Sequence, residues 1–338
     1  MTTMTATLGA RAATATMRAA THDRYGRPDA VVALAEVAVP AIGDDGMLVR
    51  VRAASVNALD WHMVRGQPII ARFGSGYLRP KDQTSGVDVA GVVEAVGKDV
   101  TELHVGDEVF GARNGSFAEY SAGRVRNFVP KPANLSFEEA AALPVAATTA
   151  LQAVRDHAVL QAGQRVLVLG AGGGVGSYAA QIAKALGGRV IASTSPANVE
   201  MVRSFGLDDV VDYTRADPLR RGPFDAVIDV GGYGRVRDLV GAIVPGGVVV
   251  SVGAGDSRLV SIISGIVAGK VRSRFRGQRV VNFLARTNRD DLLVLANLAV
   301  EGKLRSIIDR TYPLAKAGEA IAYVETGQAH GKVVLTVG

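Results

Sequence analysis

The sequence predicts an α/β protein in which a doubly wound parallel sheet is joined to an irregular antiparallel β domain. Three observations predict it. Short apolar runs recur through the second half at spacings that leave room for helices. A glycine-rich turn links the first of these runs to a helical segment. Before Pro130 the pattern differs, with Val-rich runs punctuated by glycine turns. Runs separated by helix-length segments read as βα units with a sheet buried on both faces, whereas closely spaced runs with tight turns read as antiparallel strands.

In chain order, the β domain is announced by "MLVRVRAASV", "VAGVVEAVG", "GDEVFGA" and "FAEYSAG". Ser136 then caps a helix, with Glu139 three residues on completing a capping box. The segment "AAALPVAATTALQAV" continues in helical composition and is broken at Pro144. The parallel layer follows as "RVLVLG", "RVIAS", "DVVDY", "AVIDV", "VVVSV" and a sixth run, "RVVNF", from Arg279 to Phe283. "RDDLLVLANLAVEGKL" reads as an amphipathic helix, and the closing "GKVVLTVG" as a strand that returns to the first domain.

Composition narrows the function classes. A chain of 338 residues can bury a large core and suggests two domains. Cysteine is absent, which excludes disulfides, a thiolate nucleophile and zinc sites that need sulfur, and suits a reducing cytoplasm. The net charge is +6, yet the densest basic run, "GKVRSRFRGQR", lacks the interleaved aromatics of a nucleic-acid platform, so no nucleic-acid partner is expected. No apolar run reaches the roughly 18 residues of a membrane span. Residues 1–16, rich in Ala and Thr, are expected to be a disordered extension, with the ordered fold beginning at Met17.

The turn "GAGGGVG" holds Ala171, Gly172, Gly173, Gly174, Val175 and Gly176 in the spacing of a dinucleotide fingerprint, with Ala171 in place of its first glycine. Small residues here permit a tight turn, a close backbone approach to a pyrophosphate, and packing of the new helix on the strand. The helix N-terminus then faces the phosphates. A site for NAD wants a carboxylate roughly 20 residues later to hold the ribose 2′-hydroxyl. Ser193, Thr194 and Ser195 stand there instead, and no acid precedes Glu200. Without that repulsion a 2′-phosphate is tolerated, so NADP(H) is the expected cofactor. Asn198 and the hydroxyls can donate hydrogen bonds, Arg203 is the nearest following cation, and Tyr213 can lie beside the adenosine end.

Taken together, "ASVNALDWHMVRG", "GVDVAGVVEAVG", "VGDEVFG", "GSFAEY", "LPVAATTALQA", the glycine turn and "GKVVLTV" resemble, in order and spacing, the medium-chain dehydrogenase/reductase superfamily. The likeness is to its zinc-independent, quinone-oxidoreductase-like branch and covers nearly everything from Met17. It implies a Rossmann sheet (141–283) inserted in a GroES-like irregular β-barrel domain (17–140 and 284–338), with nicotinamide in the cleft. Zinc-bearing relatives carry Cys where this chain has Asn57, and a Gly-His-Glu string where it has Gly86, Val87 and Asp88. The five histidines show no pair at ligand spacing, so no metal is expected.

The resemblance places Asn57 and Asp60 near the nicotinamide, His62 by the substrate pocket and Thr148 on the nicotinamide side. Asn57 is either a donor to the substrate oxygen or a buried turn-former. Asp60 is either catalytic or the cap of the following helix. His62 is either a proton relay or a pocket-wall residue, and Thr148 either meets the cofactor or bonds its own helix. Val252, Gly253 and Ala254 end a strand at the edge where such sheets bind ligands, and Phe283 can bring its backbone to the carboxamide. The expected reaction is metal-free hydride transfer from NADPH to a quinone or α,β-unsaturated carbonyl. A biosynthetic enoyl or ketone reductase of a polyketide-like or terpenoid substrate is one alternative, and a non-catalytic nucleotide-binding protein another. Relatives of this kind imply a homodimer.

Overall fold

The computed structural model describes residues 15–67, 69, 72, 76–81, 83–232, 234–252 and 277–338. Residues 1–14 and 253–276, with Gly253, Ala254 and most of the basic run, lie outside it. The chain divides into two compact units. One runs up to Val145 and adds Thr287–Val300 and Ile308–Gly338; the other is Ala146–Arg286 with Glu301–Ile307. Expectation put 141–145 in the second domain and kept everything after 284 in the first. The segment 301–307 departs from that because Tyr178 donates to Ser306 Oγ at 2.8 Å, and Gln181 exchanges bonds with the Arg305 backbone.

The first unit opens with β1 (Thr16–Thr21) and β2 (Ala33–Ala38), an antiparallel ribbon. It continues through β3 (Gly46–Val56), helix α1 (Ala58–Arg65), β4 (Asp88–Val96), β5 (Glu108–Ala112), β6 (Tyr120–Arg124) and β7 (Phe128–Pro130). Helix α2 (Phe137–Ala141) starts where expected: Ser136 Oγ accepts from the Glu139 N–H at 3.1 Å and Glu139 returns the bond to the Ser136 N–H at 2.8 Å. Helix α3 (Pro144–Leu151) begins at the predicted break and runs into a wider turn over Gln152–His157, where the Ala158 N–H reaches back to the Ala153 carbonyl.

The second unit holds β8 (Arg165–Leu169), helix α4 (Gly174–Ala185), β9 (Arg189–Thr194), β10 (Asp209–Asp212), β11 (Phe224–Val230), β12 (Ile243–Val252) and β13 (Arg279–Asn282). Its six strands are parallel, in the order β10-β9-β8-β11-β12-β13. That is the doubly wound order, which reverses direction between β8 and β11. Leu167, Val227 and Val249 are fully buried in its core beside Phe224 and Leu239. Burial on both faces is why these runs read as continuous rather than alternating.

The chain then returns through α5 (Arg289–Val300), β14 (Ile308–Pro313), α6 (Ala317–Glu325) and β15 (Lys332–Thr336) to the first unit. Its main sheet runs β14-β15-β3-β4-β5-β7, with β6 also paired to β3. β15 lies antiparallel to β3, so the closing segment is a strand of the first unit, to which it was expected to return. The β14–β15 pair is parallel, spanned by α6, a βαβ unit inside an otherwise antiparallel sheet. Met47, Val49, Val89, Phe117, Phe128, Val333 and Leu335 form the core of this unit.

Candidate active site

In the parallel unit the carboxyl end of β8 delivers the chain into the glycine turn. Gly170 has φ +78°, a conformation that costs a residue with a side chain. Its N–H and that of Ala171 donate to the Ser193 carbonyl at 3.1 and 3.0 Å, fixing the turn to the end of β9. A Cβ on Gly176 would stand 2.0 Å from the Gly170 carbonyl oxygen, so only glycine lets α4 start this close to β8. A Cβ on Gly172 would strike Asn198 Nδ2 and Thr194 Oγ1. Gly173 caps α4 in extended geometry, and the N–H groups of Gly174, Val175 and Gly176 form its first turn, where no intrahelical acceptor exists. The helix dipole adds positive potential at the same place.

Thr194, Ser195 and Asn198 gather beside this turn. Asn198 Nδ2 donates to Ser195 Oγ at 3.2 Å, and the Tyr213 N–H donates to the Thr194 carbonyl, bringing the end of β10 alongside. Ser193, Thr194 and Asn198 are buried, whereas Tyr213 is half exposed. Arg203 is taken up in an exposed pair with Glu200 at 2.7 Å on its own helix. Arg215, two residues beyond Tyr213, largely exposed and 3.5 Å from Asp212, is a cation that the sequence reading passed over. Val252 ends β12 as expected, and the Phe283 ring packs on His157 with centroids 4.1 Å apart. Thr148, fully buried on α3, does not bond the preceding turn of its helix: its hydroxyl has no hydrogen-bond partner among the described residues.

The β-rich unit holds a second polar constellation. Asn57 precedes α1, and its side chain is enclosed: Nδ2 donates to Asp88 Oδ2 at 2.8 Å and to the Ser55 carbonyl at 3.4 Å, while Oδ1 accepts from Lys332 Nζ at 2.5 Å. Asp60 Oδ2 accepts from the Asn57 N–H at 2.7 Å, which makes Asp60 a cap of α1. Asp88 Oδ1 accepts from the Val145 N–H at 2.9 Å. Lys332 also reaches the Val56 carbonyl at 3.3 Å and lies 3.7 Å from Asp88 Oδ2. All four side chains are buried. Burial pushes the Asp60 carboxyl up to about 7 and that of Asp88 up to about 6, the latter held back by the Lys332 charge; the same burial pushes Lys332 down.

For two residues this geometry fits the second of the alternatives the sequence left open. Both N–H bonds of the Asn57 amide are committed inside the protein, so it has none left for a substrate oxygen. Asp60 is bonded into the helix start and buried, so it acts on α1 rather than on a substrate. Asp88 and Lys332 are the residues that sequence reasoning missed; the signal was a lysine directly before the apolar run "VVLTV". His62 sits one turn further along α1, with its ring on Trp61 at 3.6 Å and Nδ1 within 3.0 Å of the Gln67 carbonyl.

A parallel sheet whose order reverses at such a turn is the frame of a nicotinamide-dependent oxidoreductase. Two family models match the chain: one described as an alcohol dehydrogenase GroES-like domain over residues 43–133, the other as a zinc-binding dehydrogenase over 205–335. A 2-methylene-furan-3-one reductase from Solanum lycopersicum is 34% identical, covering 94% of this chain and 79% of the relative. A chloroplastic quinone oxidoreductase from Triphysaria versicolor is 32% identical over 94% of this chain and 98% of its own length. Among solved structures, the quinone oxidoreductase from Coxiella burnetii matches with a TM-score of 0.84 and 32% identity, covering 96% of this chain and all of that one. The chain belongs to the medium-chain dehydrogenase/reductase superfamily, and its relatives include quinone oxidoreductases and enone reductases.

The residues present fit a nicotinamide dinucleotide and do not fit zinc. For the dinucleotide there is a turn in which a Cβ at Gly172 or Gly176 would clash, leading into the first-turn N–H groups of α4, and a buried hydroxyl at Thr148 with no partner among the described residues. For zinc, Asn57 stands where metal-bearing relatives carry a Cys and Val87 where they carry a His, and the Lys332 ammonium already lies against Asn57 Oδ1 and Asp88. Among the described residues no cluster of His, Asp or Glu could hold a metal ion. No described helix is long and apolar enough to cross a membrane.

Proposed function

We propose that this protein reduces quinones or α,β-unsaturated carbonyl compounds with NADPH and without a metal ion. The observation that carries the reading is the Lys332 ammonium, 2.5 Å from the Oδ1 of Asn57, the residue that replaces a Cys of metal-dependent relatives, and paired with Asp88. Carbonyl polarisation by an ion is then absent, and the easier chemistry is addition to a conjugated acceptor, whose anionic product modest donors and solvent can satisfy.

The bound cofactor supplies the hydride. The chain's own residues do the rest. The turn from Ala171 to Gly176 receives the pyrophosphate on the first-turn N–H groups of α4, those of Gly174, Val175 and Gly176. Ser193, Thr194, Ser195 and Asn198 present donors and no carboxylate to the ribose, which favours a 2′-phosphate, and Arg215 adds a cation beside Tyr213. Thr148 Oγ1 offers the buried hydroxyl on the nicotinamide side. His62 is assigned the role of proton relay, an imidazole being able to donate or accept a proton. Among the described residues the outer edge of β13 has no partner strand, which supports a homodimer joined through that strand.

The test is binding followed by turnover. Nucleotide fluorescence should show NADPH bound more tightly than NADH, and NADPH absorbance should fall with quinones and enones but not with simple ketones. A preference for NADH, or reduction of unactivated ketones alone, would sink the proposal.

A further inference from the structure

The cluster of Asn57, Asp60, Asp88 and Lys332 contains a charge that the hydride chemistry does not use. Taking a lysine out of water costs several kcal/mol, and buried ion pairs are often matched or bettered in stability by apolar residues of similar size. A lysine at the head of an apolar strand is therefore weakly explained by stability. Its contacts suggest another role. The Asn57 amide has two possible orientations that differ only in exchanging oxygen and nitrogen. Here a donor faces its oxygen at 2.5 Å and a carboxylate faces its nitrogen at 2.8 Å, so one orientation alone satisfies both neighbours. The Asn57 N–H in turn holds Asp60, and Asp60 sets the start of α1.

We propose that Lys332 is a positioning residue: its ammonium, carried in on β15, locks the Asn57 amide and the Asp88 carboxylate in one arrangement and thereby fixes the first turn of α1, the helix that presents His62. The inference rests on the reductase reading above. Three elements distant in sequence, α1, β4 and β15, converge on this point, so a loosened ammonium shifts the start of the helix. A misplacement of about 1 Å that starts far from the reacting atoms can cost about 100-fold in turnover.

The test compares two variants with the wild type. Lys332→Met combined with Asp88→Asn removes both charges of the pair, keeps an oxygen opposite the Asn57 amide nitrogen, and leaves Asp60 as the one titratable group of the cluster. It should fold and bind NADPH with unchanged affinity, yet lose about 10- to 100-fold in kcat with KM for NADPH unmoved. Lys332→Ala leaves a hole the size of the missing stem and head; its kcat should recover in part with ammonium chloride and not with sodium chloride at equal ionic strength. A double variant with wild-type kcat, or an alanine variant indifferent to the choice of cation, would overturn the role given to Lys332. A wild type silent on every quinone and enone would instead remove the functional reading, and this inference with it.

Discussion

Single residues in this protein are held to narrow chemical choices, and two of them make the point from opposite sides. Gly176 cannot be enlarged. With the Gly170 oxygen 2.0 Å from the position of an added Cβ, Gly176→Ala forces α4 away from β8. It should cost about 1–3 kcal/mol of stability, as overpacking does, and abolish NADPH binding in a fluorescence titration. Val159 is the reverse case. It has φ +53° although it is β-branched and half exposed, a backbone state that costs a residue with a side chain roughly 1–2 kcal/mol. Val159→Gly should raise stability by about 0.5–1 kcal/mol once the greater freedom of glycine in the unfolded chain is deducted, read as a higher urea midpoint.

At the scale of elements, α2 depends on a reciprocal pair of bonds at its start. Ser136→Ala removes one of them and should lower the unfolding free energy by about 1 kcal/mol, measured by urea denaturation, with NADPH affinity unchanged. Elements with a local signature were legible in the sequence: the capping box of α2, the glycine turn, and the six runs of the parallel sheet. Elements stabilised by distant partners were not. β14, "IDRTYP", has no alternation and exposes Arg310 and Thr311, and it is a strand because β15 pairs with it. The same holds for the site. Gly172, Thr194 and Asn198 follow from a motif, whereas the enclosure of Asn57 follows from Asp88 and Lys332, which only the tertiary fold brings together. Spacing along the chain could suggest that Asn57 mattered, but not that its amide is turned inward.

Across the whole molecule, the buried carboxyls tie stability to pH. In the unfolded chain Asp60 and Asp88 ionise near pH 4, but in the folded protein burial holds their protons up to about 7 and about 6. Between those limits the folded state binds more protons than the unfolded state. Their contribution to stability is therefore complete at low pH, is lost as pH rises from about 4 to 7, and changes no further above that range. Each such carboxyl contributes a slope approaching about 1.4 kcal/mol per pH unit. Asp60→Asn keeps an oxygen for the Asn57 N–H while removing the titration. Its unfolding free energy, followed by denaturant at several pH values, should fall less steeply across this window than that of the wild type; identical slopes would show that Asp60 titrates normally.

The return of β15 to lie against β3 also dictates an order of events during biosynthesis. β3 leaves the ribosome early, but its neighbour is translated only after the entire parallel sheet. That sheet comes from an almost unbroken stretch of chain and can collapse while translation continues, whereas the β-rich unit must wait with an open seam. Nascent chains stalled ahead of Lys332 should therefore yield to protease within the first unit while the glycine turn is already protected.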